Sequence, residues 1–103
     1  MALVTRWTNA ALDDINYIAE YIAKDSIYYA KEVASQLFDL GESAGDFPNK
    51  GRVVPELGDP SYRELFLFSY RLIYEITPSH IQIIAVIHGR RLLEIDERIS
   101  LKH

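Results

Sequence analysis

Apolar residues recur at spacings of three and four through the first half of this chain and gather into short dense runs through the second. From residue 9 to about 24, Ala11, Leu12, Ile15, Ile18, Ala19 and Ile22 draw one stripe. Asp13, Asn16, Glu20 and Lys24 take the opposite side, as an amphipathic helix requires. Thr8 and Asn9 are candidate N-caps, and Asp13 and Asp14 fall early in that helix. Asp25-Ser26 then supplies a break and a new cap, after which Ala30, Val33, Ala34, Leu37, Gly41 and Ala44 repeat the helical period. The small residues in this second stripe predict a close antiparallel helix pair. Ile15, Ile18 and Ile22 are expected in the core, because their spacing already explains them.

The flanking segments read differently. Residues 2–7 are short and rich in strand formers, so a strand is predicted to hand over to the first helix. Pro48 ends the second helical region, and a loop runs from Asn49-Lys50-Gly51 through Pro55, Gly58, Asp59 and Pro60. Three strands are expected at 62–68, 70–77 and 80–88, joined by short turns into an antiparallel meander, with Pro78-Ser79 in the last turn. The run Ile81, Ile83, Ile84, Val86 and Ile87 is nearly continuous, which implies a central strand covered by the helices on at least one face. The predicted fold is thus α+β: an N-terminal strand, an antiparallel helix hairpin, then a three-stranded meander, with the helices packed on one face. Residues 1–103 form a single domain.

Strand parity sets which side chains meet. A three-residue loop at Phe68-Ser69-Tyr70 places Leu67 opposite Arg71 and Arg63 opposite Glu75. A four-residue turn at 77–80 then sets Arg71 opposite Val86 and projects His88 from the same face. On that register Arg63, Arg71 and His88 converge.

Composition narrows the chemistry. Cysteine is absent, which removes disulfides, thiol nucleophiles and thiolate metal sites. The three histidines, His80, His88 and His103, form no i, i+4 pair, so no metal and no cofactor is expected. No apolar run reaches the length of a membrane span, and the first residues lack the pattern of a signal peptide. A cytoplasmic protein without a membrane partner is expected.

The net charge of −4 argues against a protein that coats nucleic acid by bulk electrostatics. Residues 1–49 hold three basic against eight acidic residues, net −5, whereas residues 50–103 hold eight against seven, net +1. An anion-facing surface would therefore come from the second half, which keeps Arg52, Arg63, Arg71, Arg90 and Arg91 beside apolar strands. A lone buried charge costs several kcal/mol, so such arginines call for anionic partners. Arg90-Arg91 reads equally as a solvated strand end or as part of a binding surface. Tyr17, Tyr21, Tyr28 and Tyr29 gather near the helix junction, either as packing residues with wet hydroxyls or as a binding patch.

Several short pieces, taken in order, resemble the RelE/ParE superfamily of bacterial toxins, the toxic halves of type II toxin-antitoxin pairs, also called plasmid stabilisation proteins. They are Trp7, the hairpin with Asp14 and Tyr21-Ile22-Ala23, Gly51-Arg52-Val53-Val54-Pro55-Glu56, Arg63-Glu64-Leu65, Tyr70-Arg71-Leu72-Ile73-Tyr74 and His88-Gly89-Arg90-Arg91. The resemblance implies a small sheet with two helices on one face, growth arrest as the outcome, and a cognate antitoxin that forms a hetero-oligomer with the toxin. Such an antitoxin wraps the toxin with a disordered tail, for which the exposed helix hairpin and the sheet edge are natural acceptors. Arg52, Arg63, Arg71, Arg90 and Arg91 are the candidate target- or antitoxin-binding residues.

Two targets follow from the resemblance. ParE-like members block DNA gyrase without hydrolysis of their own. RelE- or YoeB-like members cut messenger RNA on the ribosome, the RNA 2′-hydroxyl acting as nucleophile. For cleavage, Glu56 would stand as general base, Arg71 as the phosphate-binding arginine and His88 as general acid, a set that 2′-oxygen attack and departure of the 5′-oxygen require. The basic RelE-like lysine pair has no equivalent, since Lys50 stands alone, while the ending Gly89-Arg90-Arg91 differs from many ParE-like chains. A gyrase-binding toxin is the favoured expectation; a ribosome-dependent endoribonuclease and an inactive antitoxin-binding module are the alternatives.

Overall fold

A computed structural model of the chain describes residues 2–88. Its elements follow in the order β1 (Val4–Trp7), α1 (Asn9–Ala23), α2 (Ile27–Asp46), β2 (Arg52–Val53), β3 (Tyr62–Leu67), β4 (Tyr70–Ile76) and β5 (His80–His88). One five-stranded sheet has the order β1-β5-β4-β3-β2, with β1 parallel to β5 and every other pair antiparallel. The expected meander is β3-β4-β5. The N-terminal strand joins it beside β5, and this makes β5 internal, buried at every residue from Ile83 to Ile87.

Local chemistry sets the helix starts. Thr8 caps α1: its Oγ1 accepts a hydrogen bond from the Ala11 N–H at 3.0 Å. The same hydroxyl donates to the Ile84 carbonyl at 3.3 Å, tying the cap to β5. Ser26 caps α2 by accepting from the Tyr29 N–H at 3.1 Å. β1 ends at Trp7, so among the described residues no strand pairs with β5 beyond Ile83 on that side. Asp14 on α1 substitutes for one, accepting a hydrogen bond from the Val86 N–H at 2.9 Å.

The sheet buries both faces. On one side Ala11, Ile15 and Leu37 of the helices pack on Leu65, Leu72, Ile81 and Ile83, with Ile18 and the partly buried Ile22 beside them. On the other, Val54, Tyr62, Ile73, Ile84 and Ile87 form a second cluster with Leu57 against it. The loop after β2 supplies that cover. Small residues in α2 serve β1 rather than a tight helix pair alone. A Cβ at Gly41 would lie 2.5 Å from the Trp7 ring, and one at Gly45 would lie 2.5 Å from the Leu3 carbonyl oxygen.

Two register expectations are corrected. The β3–β4 hairpin turns through Phe68 and Ser69 only, so Leu67 pairs with Tyr70, Arg71 with Phe66, and Arg63 with Tyr74 rather than Glu75. Phe68 has φ of 53°, the left-handed conformation that admits so tight a turn. The β4–β5 turn is the expected one, with Ile76 opposite Ile81. A bulge then inserts Ile84, because Ile73 pairs with Ala85 and Tyr74 with Ile83, and this shifts Arg71 from Val86 to Ile87.

Candidate functional site

These registers place the candidate residues on different faces. Arg71 shares the second face with Glu64 and Phe66, whereas Arg63 and His88 follow the parity of Tyr74 and Tyr70 on the helix side. Arg63, Arg71 and His88 therefore do not converge. His88 stacks edge-on to Tyr70, ring centroids 6.0 Å apart, and is exposed. Arg63 turns to the backbone: its Nε donates to the Pro60 carbonyl at 2.9 Å and a terminal nitrogen donates to the Gly51 carbonyl at 3.1 Å. Arg90 and Arg91 lie outside the described residues.

Glu56 and Arg71 do meet, within a chain of four alternating charges. Arg71 is 4% exposed, and its guanidinium donates to both Glu56 oxygens at 2.9 and 3.3 Å. Its Nε donates to Glu64 Oε1 at 2.7 Å, and a terminal nitrogen donates to the same oxygen. The other Glu64 oxygen accepts from Arg52 Nε at 2.5 Å. Glu64 is fully buried, Arg52 reaches solvent, and the Arg52 guanidinium lies 5.0 Å from the Phe66 ring centroid. Of the arginines that called for anionic partners, Arg52 and Arg71 find them inside the molecule. Two carboxylates balance two guanidiniums, which is how a charge survives beneath an apolar sheet face.

Titration follows from this arrangement. Hydrogen bonds from Arg71 hold the Glu56 carboxyl below the ordinary glutamate range, against a smaller opposing effect of burial. Desolvation alone would lower the Arg71 pKa, but its bonds to Glu56 and Glu64 outweigh that and raise it, so the guanidinium stays charged. Arg71 thus presents its hydrogen-bonding edge to internal carboxylates.

The loop that carries Arg52 and Glu56 is pinned from below. Tyr74, fully buried on β4, donates from its hydroxyl to the Pro48 carbonyl at 2.7 Å and accepts from the Gly51 N–H at 2.9 Å. Gly51 has no room for a side chain, since a Cβ there would lie 2.7 Å from both the Glu64 carbonyl oxygen and the Tyr74 hydroxyl. Leu57 and Gly58 donate from their backbone N–H groups to the Val54 carbonyl, which turns the chain directly after Glu56. Glu64, Phe66 and Tyr74 were not singled out as site residues from sequence. Glu64 shares the face of Arg71 only on the observed two-residue hairpin register, which the sequence-derived register reverses.

Among the described residues no group of histidine, aspartate and glutamate is arranged to hold a metal ion, and no helix is long and apolar enough to cross a membrane.

Comparison with known proteins agrees with this architecture. Over 87 residues the chain is 30% identical to Toxin RelE2 of Caulobacter vibrioides, covering 84% of this chain and 94% of that protein. The fold is shared with a solved structure described as the chromosomal ParDE TA system from P. aeruginosa, with a TM-score of 0.71 at 19% identity, over 84% of this chain and 96% of that one. A family model described as the ParE toxin of the type II toxin-antitoxin system, parDE, matches residues 5–93, and the chain accordingly belongs to this family of toxins within the RelE/ParE superfamily.

Proposed function

We propose that this toxin arrests growth by binding an essential bacterial target in the cytoplasm, DNA gyrase being the favoured one, and that it performs no hydrolysis of its own. One observation carries the preference: among the described residues, Glu56, Arg71 and His88 are not brought together as the base, cation and acid that RNA cleavage needs. Arg71 is occupied by Glu56 and Glu64, while His88 stands on the opposite face of the sheet. A phosphorane needs free positive charge and its leaving oxygen needs a nearby proton donor. The acidic balance of the chain supports the same preference, because a nuclease on the ribosome lies against dense phosphate.

A second reading rests on the contact between Glu56 and Arg71. A carboxylate 2.9 Å from a guanidinium is a base held beside a phosphate-binding group, and a substrate phosphate that displaced Glu56 would meet both. In either case the toxin is neutralised by its cognate antitoxin, whose acidic residues would meet the exposed Arg52 on this side of the sheet.

Expression of the chain without an antitoxin, with DNA breaks and messenger RNA ends examined in the same arrested cells, tests the choice. The expected result is gyrase-dependent DNA damage with intact messages, unchanged in Glu56→Ala and His88→Ala. Codon-positioned RNA ends that disappear in those variants would establish the endoribonuclease instead, with a loss of a hundredfold or more, as removal of a general acid or base brings. Absence of toxicity altogether would leave an antitoxin-binding module.

A further inference from the structure

Residues 54–60 cross the second face of the sheet as a strap, and its burial is confined to two side chains. Val54 is buried and Leu57 packs against the cluster that contains Tyr62, Ile73, Ile84 and Ile87, whereas Pro55, Glu56, Gly58, Asp59 and Pro60 are exposed. The hydrogen bonds along its middle are short in range. Leu57 and Gly58 donate to the Val54 carbonyl; Asp59 accepts from the Ser61 N–H at its side chain and from the Tyr62 N–H at its carbonyl. Gly58 takes the left-handed conformation, φ 62°, with nothing within 4 Å of the place a Cβ would occupy.

The two ends of the strap are held differently from its middle. One side chain, Arg63 of β3, grips both: a terminal nitrogen donates to the Gly51 carbonyl at 3.1 Å and Nε to the Pro60 carbonyl at 2.9 Å. Backbone bonds reinforce them, from the Val54 N–H to the Tyr62 carbonyl at 3.0 Å and from the Ile76 N–H to the Ser61 carbonyl at 2.7 Å. The middle is tied to the sheet by Leu57 and by Glu56, whose carboxylate meets the terminal nitrogens of Arg71. That ionic tie is built to release. When Glu56 leaves, Arg71 keeps Glu64 at its Nε, so a buried cation is not stranded, and the already exposed Glu56 passes into water.

We infer that residues 55–59 lift from the sheet as a unit while the domain stays folded, with Arg63 stapling the two ends and the Glu56–Arg71 contact as the latch. Segments with few buried apolar contacts and local backbone hydrogen bonds open at a fraction of the free energy of global unfolding. Opening turns the terminal nitrogens of Arg71 outward and uncovers apolar surface of the second cluster; closure withholds both. The strap is thus an internal cover over Arg71, whichever target the toxin arrests.

Native-state hydrogen exchange of the full chain, read amide by amide, tests this. Relative to intrinsic rates, the Leu57 and Gly58 amides are expected to exchange about a hundredfold or more faster than those of β4 and β5, and to respond little to dilute denaturant. Glu56→Ala should speed Leu57 and Gly58 about tenfold, as loss of a charge-assisted pair. Arg63→Ala should add the Val54 amide to the fast set, because the ends then open with the middle. Ile15→Val, on the helix side, lowers the stability of the whole domain without touching the strap. In that variant the amides of β4 and β5 should speed by about two- to tenfold while Leu57 and Gly58 keep the parent's rates. Parallel acceleration of both sets in Ile15→Val would mean that the strap opens only with the whole domain, and unchanged Leu57 and Gly58 rates in Glu56→Ala would mean that Glu56 is no latch. Either result overturns the proposal, and a Val54 amide as protected in Arg63→Ala as in the parent would overturn the part assigned to Arg63.

Discussion

Arg71 and Glu64 face one another across the β3–β4 pair, Nε to Oε1 at 2.7 Å, with only 4% and 1% of their surfaces in contact with water. Removing one partner of such a pair strands the other charge, at a cost of about 3–5 kcal/mol. Glu64→Ala is therefore expected to lower the melting temperature by more than about 12 °C, at roughly 4 °C or more per kcal/mol for a domain of this size. Glu56→Ala should cost much less, since that carboxylate is partly solvated and Arg71 retains Glu64. The double variant Glu64→Leu/Arg71→Met should recover much of the loss, because apolar replacement of a whole buried pair is frequently neutral. Thermal unfolding of the parent, Glu64→Leu, Arg71→Met and the double variant completes a double-mutant cycle. A strictly additive result would show that the two side chains are not coupled.

Acid should loosen the same region in a defined sense. The Glu56 carboxyl has a lower pKa in the folded protein than in the unfolded chain, where a glutamate titrates near ~4.3. Its stabilisation is thus complete above that range and is lost as pH falls through the lowered folded value. Glu56→Gln removes this contribution. Unfolding free energies measured from pH ~6 down to pH ~3 should fall less steeply for Glu56→Gln than for the parent, and parallel curves would mean that Glu56 is not paired in solution.

Alkali should act on Tyr74. Burial pushes its hydroxyl above the ordinary tyrosine value near ~10, so the fold prefers the protonated form. The sign is opposite to that of Glu56: stability is full below the unfolded value and declines as pH rises toward the raised one. Tyr74→Phe deletes this alkaline slope, but it leaves the Gly51 N–H and the Pro48 carbonyl without their partner, costing about 1–3 kcal/mol at neutral pH. Gly51→Ala should do comparable damage by a different route, pressing a methyl group into the Glu64 carbonyl and the Tyr74 hydroxyl. Denaturant titrations at pH ~7 and ~10.5 separate the two effects.

Legibility of the chain in its sequence followed the strength of each local signal. Ile15, Ile18 and Leu37 repeat a helical period, and their burial was readable; so was the internal position of β5, from the run Ile81 to Ile87. That same run hid the bulge at Ile84, because a strand buried on both faces has no alternation for an inserted residue to interrupt. β2 is two residues long between Gly51 and a proline, too short for any period. For the candidate site the consequence was direct. Glu56 and Arg71, matched by resemblance, do come together, although fifteen residues of loop and strand separate them. Arg63, brought to Arg71 by parity, and His88, brought there by parity and by resemblance, do not, since the short hairpin moved Arg63 off its face and the bulge moved His88. Glu64 explains both neighbouring arginines, and it became visible only once its pairing opposite Arg52 and Ile73 was known.

The hairpin was misread because its turn lacks the residue such turns favour. A two-residue connection needs positive φ at a central position, where glycine or asparagine is the usual choice, yet Phe68 occupies it at 53° and remains 71% exposed. A bulky residue there is disfavoured by about 1–2 kcal/mol relative to glycine, and its ring recovers little by packing. Phe68→Gly is therefore expected to stabilise the protein by about 1 kcal/mol, raising the melting temperature by roughly 4–8 °C. The informative comparison is with growth arrest on expression. If Phe68 serves only the turn, the stabilised variant arrests growth as strongly as the parent. A more stable variant with weakened arrest would instead assign the strained, exposed ring to the contact with the target.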